Sequence, residues 1–330
     1  MMKKNIALVA GGYSGEYVVS IQSAATIERH LDPERYRVFK ISVTREGWFH
    51  TDAAARRVPV DRNDFSLTLS GEKITFDAVF IGIHGTPGED GKLQGYFDML
   101  GIPYTSCGAI TSALTFNKSY CNKVVAQLGV VNVAKSLHIF RDRPFSEQEI
   151  TEVLKFPVFV KPAEGGSSLG VSKVDNPSEE LGEAIRRAFQ EDSQALIEER
   201  IVGREITCGV FEAGGKRHVL PLTEVIAGKN FFDFEAKYTP GMSQEITPAQ
   251  LDEPTRAMIA STAEKLYLAL NCRGIVRVDF ILEEGTGKLY FLEINTMPGQ
   301  SENSLVPQQV QAAGMTLRAF YGMLIENCLR

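Results

Sequence analysis

The chain has 330 residues, 44% apolar and 23% charged, with a net charge of −6. That is enough for two or three globular units, each with its own core. An acidic balance without a clustered basic patch argues against nucleic acid as a partner, and no apolar run approaches the roughly 20 residues that cross a bilayer. The apolar run at residues 6–10 is too short for a signal-peptide core and reads as a first strand. Five cysteines at no metal-ligand spacing fit reduced thiols, so a cytoplasmic protein without membrane partners is expected.

Residues 5–10 run as a buried strand into Gly11-Gly12-Tyr13-Ser14-Gly15-Glu16, after which Val18, Ile21, Ala24, Ala25 and Ile27 recur at helical spacing up to His30. Strand, glycine turn and helix open a nucleotide-binding α/β unit. The glycines do not fit G-x-G-x-x-G, so a nicotinamide oxidoreductase lacks its fingerprint and a tight turn is the simpler reading. Strands over 37–43 and 77–83 flank a more polar region at 53–75. The second strand opens into His84-Gly85-Thr86-Pro87-Gly88-Glu89-Asp90-Gly91-Lys92-Leu93-Gln94-Gly95. Ligands collect at the carboxyl ends of strands in open α/β sheets. His84 is therefore a candidate ligand contact, although a lone histidine in a loop can equally be structural.

A helix over 118–128 begins at Lys118, which could reach a phosphate or simply be solvated. The strand at 157–162 carries Lys161 and is followed by Ala163-Glu164-Gly165-Gly166-Ser167-Ser168-Leu169-Gly170-Val171, with a returning strand at 172–174. Three glycines and two serines leave backbone N–H groups free to cradle phosphates, with Lys161 as a point charge. No Gly-Lys-Ser/Thr follows, so this is not a Walker A loop, and a flexible hairpin is the alternative. Such a loop could close over bound ATP and exclude water. A helix over 178–189, a loosely alternating strand over 195–201 and strands over 206–211 and 219–225 come next. The segment 231–241 is too polar and broken for a core element and has the length of a lid, though its aromatics could equally pack. Helices over 255–270 and 312–329 complete the chain.

The richest stretch is 274–307. Two runs of β-branched and aromatic residues, 274–282 and 289–295, flank the turn Glu283-Glu284-Gly285-Thr286-Gly287-Lys288. Strand periodicity puts Arg277 and Asp279 on one face, and Glu293 and Asn295 on one face of the partner. Val276, Val278, Phe280, Tyr290, Leu292 and Ile294 are then left for a core. Two carboxylates and an amide oxygen are hard ligands suited to Mg²⁺ or Mn²⁺ held with substrate phosphates, and Arg277 beside them could clamp a developing oxyanion. A solvated charged face is the alternative. Thr296-Met297-Pro298-Gly299 is a tight turn whose glycine could bring an N–H close to a ligand.

Arg-Val-Asp, then Leu-Glu-Ile-Asn-Thr-Met-Pro-Gly and Ser-Leu-Val-Pro, resemble the C-terminal lobe of ATP-grasp enzymes, and within them the D-alanine–D-alanine ligases. Five motifs in the family's order extend the resemblance over nearly the whole chain. It implies an α/β protein of ATP-grasp fold, α+β in its central and C-terminal parts, with a Rossmann-like parallel sheet in the N-terminal domain. The expected domains are residues 1–115 for substrate, 116–212 as an ATP lid, and 213–330 with the metal site and mobile loop. The implied reaction joins two D-alanines through a D-alanyl phosphate at the expense of ATP, for peptidoglycan precursor synthesis.

By that resemblance Glu16 binds the first D-alanine's amino group and anchors a network with Ser167 and Tyr238. His84 sits at the substrate; Lys118, Lys161 and Lys237 meet the ATP phosphates. Glu198 and the backbone of Ile201 meet the adenine, and Glu205 holds the ribose. Asp279, Glu293 and Asn295 hold two divalent ions, Mg²⁺ or Mn²⁺. Arg277 and the Gly299 N–H stabilise the oxyanion, while Ser304 and Leu305 hold the second carboxylate. Family members are often dimeric, which makes a homodimer an expected state. Gln300 and Asn303 depart from common family residues near the second-substrate pocket, so D-alanine–D-lactate and D-alanine–D-serine ligases are same-fold alternatives, with Tyr238 arguing against lactate. An ATP-binding protein without catalysis is the alternative of another class; intact Arg277, Asp279, Glu293 and Asn295 argue against it.

Overall fold

The computed structural model describes residues 2–227 and 243–330. The N-terminal sheet has the strand order Arg57–Pro59, Gly47–Thr51, Tyr36–Thr44, Lys4–Gly11, Ala78–Ile81. Lys4–Gly11 pairs in parallel with both neighbours. Its residues 6–11 are all buried because both sheet faces are covered, as a near-continuous apolar strand requires. Ile6, Leu8 and Ala10 face a core shared with the helices Tyr17–His30 and Leu317–Cys328; Ala7 and Val9 face another, with Phe65 and Phe97.

The apolar periodicity of the Tyr17–His30 helix is misleading. Val18 is 63% and Ile21 37% exposed, while the buried face is Ser20, Ser23, Ala24, Thr26 and Ile27. Ser20 explains its burial: its Oγ accepts from Gly11 N at 2.8 Å and donates to Gly82 O at 2.6 Å, tying the helix to the two strand ends. A buried hydroxyl so satisfied costs little.

A four-stranded antiparallel sheet follows, in the order Ser172–Val174, Val158–Pro162, Gln194–Glu199, Ser136–Phe140. The helix Pro177–Glu191 covers it with Leu181, Ala184, Ile185 and Ala188. The third large sheet runs Ser243–Ile246, Thr223–Ala227, Gly203–Ala213, Ile275–Glu283, Leu289–Asn295, Asn132–Val133, with Lys216–Val219 branching from Gly203–Ala213. Gly203–Ala213 thus pairs with Ile275–Glu283 rather than with the central sheet.

Three local expectations need correction, the first being the strand over 219–225, which is two strands, Lys216–Val219 and Thr223–Ala227. The helix expected over 312–329 starts only at Leu317 and runs to Cys328, and a separate helix, Leu305–Ala312, precedes it. Gly314 lies at φ 74° between them, and the Thr316 side chain accepts from Ala319 N to start the second. In the 275–295 hairpin the register shifts between Asp279 and Phe280, so Phe280 faces Phe291. Beyond this bulge the core side of the partner strand is Leu289 and Phe291, and Tyr290 and Leu292 turn to the cavity instead.

Candidate active site

The bulge leaves the polar end of the hairpin in register, with Arg277 opposite Asn295 and Asp279 opposite Glu293. The Arg277 guanidinium forks onto Asp279, Nε to Oδ1 at 2.8 Å and Nη2 to Oδ2 at 2.7 Å. Asn295 Nδ2 sits between the carboxylates, 3.0 Å from Asp279 Oδ2 and 3.3 Å from Glu293 Oε1. Lys118 Nζ approaches Glu293 to 3.8 Å. Burial opposes the Arg277 charge, but the carboxylates of Asp279, Glu293 and Glu205 outweigh it and leave its pKa raised. Asp279 and Glu293, with the Asn295 amide turned oxygen-inward, are three hard donors on adjacent strands, a set that fits Mg²⁺ or Mn²⁺.

Facing this group is the loop between Val158–Pro162 and Ser172–Val174. Lys118 Nζ donates to Gly165 O at 2.7 Å, and Lys118 N to Ala163 O at 2.8 Å. The helix that starts there is capped by Asn117, whose Oδ1 accepts from Tyr120 N at 3.1 Å. At the tip, Ser167 and Ser168 hold φ values of 55° and 57°, a costly backbone for serine. Ser167 Oγ there donates to Glu16 Oε1 at 2.7 Å, a bond spanning the N-terminal and central sheets. A Cβ on Gly166 would come within 2.6 Å of the same Glu16 oxygen, so a larger residue there would displace the Glu16 carboxylate from its place against the loop. Lys161, 8% exposed, donates to Glu198 Oε1 at 2.8 Å, and Asn122 Nδ2 donates to Glu198 Oε2 at 3.0 Å. Both oxygens of Glu198 are thus engaged. Its carboxylate supports the Lys161 ammonium from the cavity wall.

One cavity of about 940 Å³ lies between the three sheets, and every expected site residue among the described ones lines it. Lys237 and Tyr238, with the 231–241 loop, lie outside the described residues. Ile201 and Glu205 stand on the wall beside Glu198 and Arg204. Gly299, Ser304 and Leu305 form the opposite end, where Ser301 Oγ and Ser304 Oγ are 2.7 Å apart at the start of the Leu305–Ala312 helix. His84 is 5% exposed, and both ring nitrogens have protein partners: Nδ1 lies 2.8 Å from Met297 O and Nε2 2.9 Å from Ser23 Oγ. Its ring therefore bridges the 296–300 turn and the Tyr17–His30 helix in the cavity wall.

Sequence reasoning missed three residues. Ser23 carried no signal beyond its three-residue spacing from Ser20. Asn122 looked like any polar helix residue. Glu89 stood within a quoted motif but was given no role. Its Oε2 accepts from Gly85 N at 2.6 Å, and burial, reinforced by the Glu16 charge, pushes its pKa up to about 8.

Comparison with known proteins identifies the family. The D-ala D-ala ligase N-terminus family matches residues 5–107, and the D-ala D-ala ligase C-terminus family matches residues 124–326. The D-alanine–D-alanine ligase of Parabacteroides distasonis is 44% identical over 329 residues, covering 100% of this chain and 98% of that one. Among solved structures, the VanG D-Ala:D-Ser ligase from Enterococcus faecalis superposes with a TM-score of 0.87 at 33% identity, covering 98% of this chain and 99% of that one. The D-alanyl-alanine synthetase A from Vibrio cholerae superposes with a TM-score of 0.88 at 30% identity, covering 100% and 99%. The α/β architecture is the ATP-grasp fold expected from the motifs. With both family halves matched and full-length relatives above 40% identity, the chain belongs to the D-alanine–D-alanine ligase family of ATP-dependent ligases.

Proposed function

We propose that the protein joins two D-alanine molecules into D-alanyl-D-alanine, converting ATP to ADP and phosphate, as a step in building peptidoglycan precursors. The observation that carries this is the meeting, in one cavity, of the Arg277–Asp279–Asn295–Glu293 cluster with Lys118, Lys161 and the glycine-rich loop. Cations on both sides of a hard-donor cluster suit phosphoryl transfer, where positioning and electrostatics carry the catalysis. We read residues 1–115 as the substrate domain, 116–212 as the lid and 213–330 as the metal-bearing domain. The strand Gly203–Ala213, within that lid range up to residue 212, pairs inside the last sheet and so joins the two units. Family resemblance supports a cytoplasmic homodimer.

The donor D-alanine offers its carboxylate oxygen to the γ-phosphorus; the bond to ADP breaks and a D-alanyl phosphate forms. The amine of the second D-alanine then attacks the carbonyl carbon, and phosphate leaves as the amide forms and the amine's proton is released. Glu16 holds the donor ammonium, and Ser167, bonded to Glu16, keeps the loop closed so that water does not intercept the acyl phosphate. Lys118 and Lys161 neutralise phosphate charge, with Lys237 joining them by resemblance and Tyr238 joining Glu16 and Ser167. Glu198 and the Ile201 backbone meet the adenine, and Glu205 the ribose. Asp279, Glu293 and Asn295 would hold two Mg²⁺ or Mn²⁺ ions, which when bound neutralise the phosphates. Arg277 and the Gly299 N–H stabilise the tetrahedral oxyanion. Ser304 and Leu305 hold the acceptor's carboxylate.

The VanG neighbour favours one second reading, D-serine as acceptor. The test is phosphate release from ATP with Mg²⁺ and D-alanine, L-alanine, or D-alanine plus D-serine or D-lactate, with products identified by mass. Release with D-alanine alone and a D-alanyl-D-alanine product is expected. A mixed product in preference would move the assignment to another acceptor, and nucleotide binding without turnover would sink the proposal.

A further inference from the structure

The turn at residues 296–300 leaves the seven-stranded sheet and enters the N-terminal unit. There the Met297 side chain packs in the same core as Val9, Ile83 and Phe97. Both ends of this turn are tied to that unit by hydrogen bonds. His84 Nδ1 lies 2.8 Å from Met297 O, His84 Nε2 2.9 Å from Ser23 Oγ, and Gln300 N donates to Ser23 Oγ at 3.1 Å. The direction of the chain is forced. A carbonyl only accepts, so Nδ1 carries the hydrogen, and in a neutral ring Nε2 must then accept from the Ser23 hydroxyl. The Ser23 oxygen is left to accept the Gln300 N–H. All three residues are buried, with Ser23 at 0% and His84 and Gln300 at 5% exposure, so water does not compete for these bonds. Burial also lowers the His84 pKa, against the raising effect of Glu16, which keeps the ring neutral.

We propose that Ser23 and His84 are positioning residues that clamp the two ends of the 297–300 turn, and thereby aim the Gly299 N–H at the reacting carbonyl. The inference rests on the reading of Gly299 as an oxyanion donor. It also explains the buried serine face of the Tyr17–His30 helix, through which the N-terminal unit supplies a rigid backing for a donor that belongs to the C-terminal sheet. Gln300 then acts through its backbone. Its side chain turns back on its own turn, Nε2 donating to Pro298 O at 3.0 Å, rather than toward the acceptor.

Misplacing a reacting group by about 1 Å can cost on the order of 100-fold in rate, so Ser23→Ala is expected to lower kcat by roughly ten- to a hundredfold. The KM for ATP should hold, because the nucleotide contacts lie on other elements. Three further readouts accompany it: His84→Asn, the double variant, and hydrogen exchange of the peptide spanning 296–301. The clamp predicts faster exchange there in both single variants, and a double variant no slower than the worse single, since both act through one chain of bonds. Unchanged exchange, or single effects that multiply, would overturn the clamp. Faster exchange with unchanged kcat would overturn its catalytic purpose and locate the failure in the Gly299 assignment.

Discussion

Replacing Arg277 with lysine is expected to lower kcat by about 10²–10³-fold, the usual effect of removing one donor from an oxyanion site. The charge survives this change, but the planar fork does not. In the resting site the Nε–Nη2 edge of the guanidinium is held by Asp279 two residues along the same strand, which fixes its plane. A lysine ammonium is a point charge on a flexible stem and cannot hold Asp279 and an oxyanion in the same fixed geometry. Stability should change less than activity, because Asp279 and Glu293 keep a cation between them. Steady-state kinetics with thermal unfolding separates the two. A lysine variant with near-native kcat would show that Arg277 is only a counter-charge for the carboxylates.

The second large effect is expected at Lys161. Its ammonium and the Glu198 carboxylate are both buried and 2.8 Å apart. Removing one member of such a pair strands the other, at a cost of about 3–5 kcal/mol. Lys161→Met is therefore expected to destabilise the protein strongly. Lys161→Met with Glu198→Gln should recover most of that loss, since no unpaired charge remains and Asn122 can still bond the amide. ATP binding should not recover. A charge-assisted hydrogen bond contributes roughly 1.5–3 kcal/mol, so both variants should bind ATP about ten- to a hundredfold more weakly. Denaturant unfolding and nucleotide titration of the two proteins check this. A double variant as unstable as the single would mean that Lys161 stabilises through packing rather than by pairing Glu198.

The site was largely legible in the sequence because its chemistry rides on regular elements. Strand periodicity placed Arg277 with Asp279 and Glu293 with Asn295, and the register joined them as expected. Lysine, glycine and serine in one loop between two strands announced the 163–170 segment. What could not be read follows from packing across long sequence distances. The bulge after Asp279 exchanges the core and cavity faces of the partner strand, and no local preference marks it. Ser20 and Ser23 are buried because strand ends and a histidine more than sixty residues away satisfy them, so apolar counting picked the exposed Val18 and Ile21 instead. Lys161 and Asn122 meet the two oxygens of Glu198 from 37 and 76 positions away in the chain, which no local pattern shows. The break at Gly314, by contrast, was written in a glycine followed by a capping threonine and was simply read through.

The roles given to the cavity's residues all depend on a carboxylate being phosphorylated there before the amide forms. D-alanine labelled with ¹⁸O in both carboxyl oxygens, turned over with ATP and Mg²⁺, tests this directly. One labelled oxygen should appear in the released phosphate, because the donor's own oxygen bridges to phosphorus and leaves with it. Phosphate free of label, alongside a labelled dipeptide, would contradict the acyl phosphate, and with it the roles given to Arg277, Gly299 and the closed glycine-rich loop.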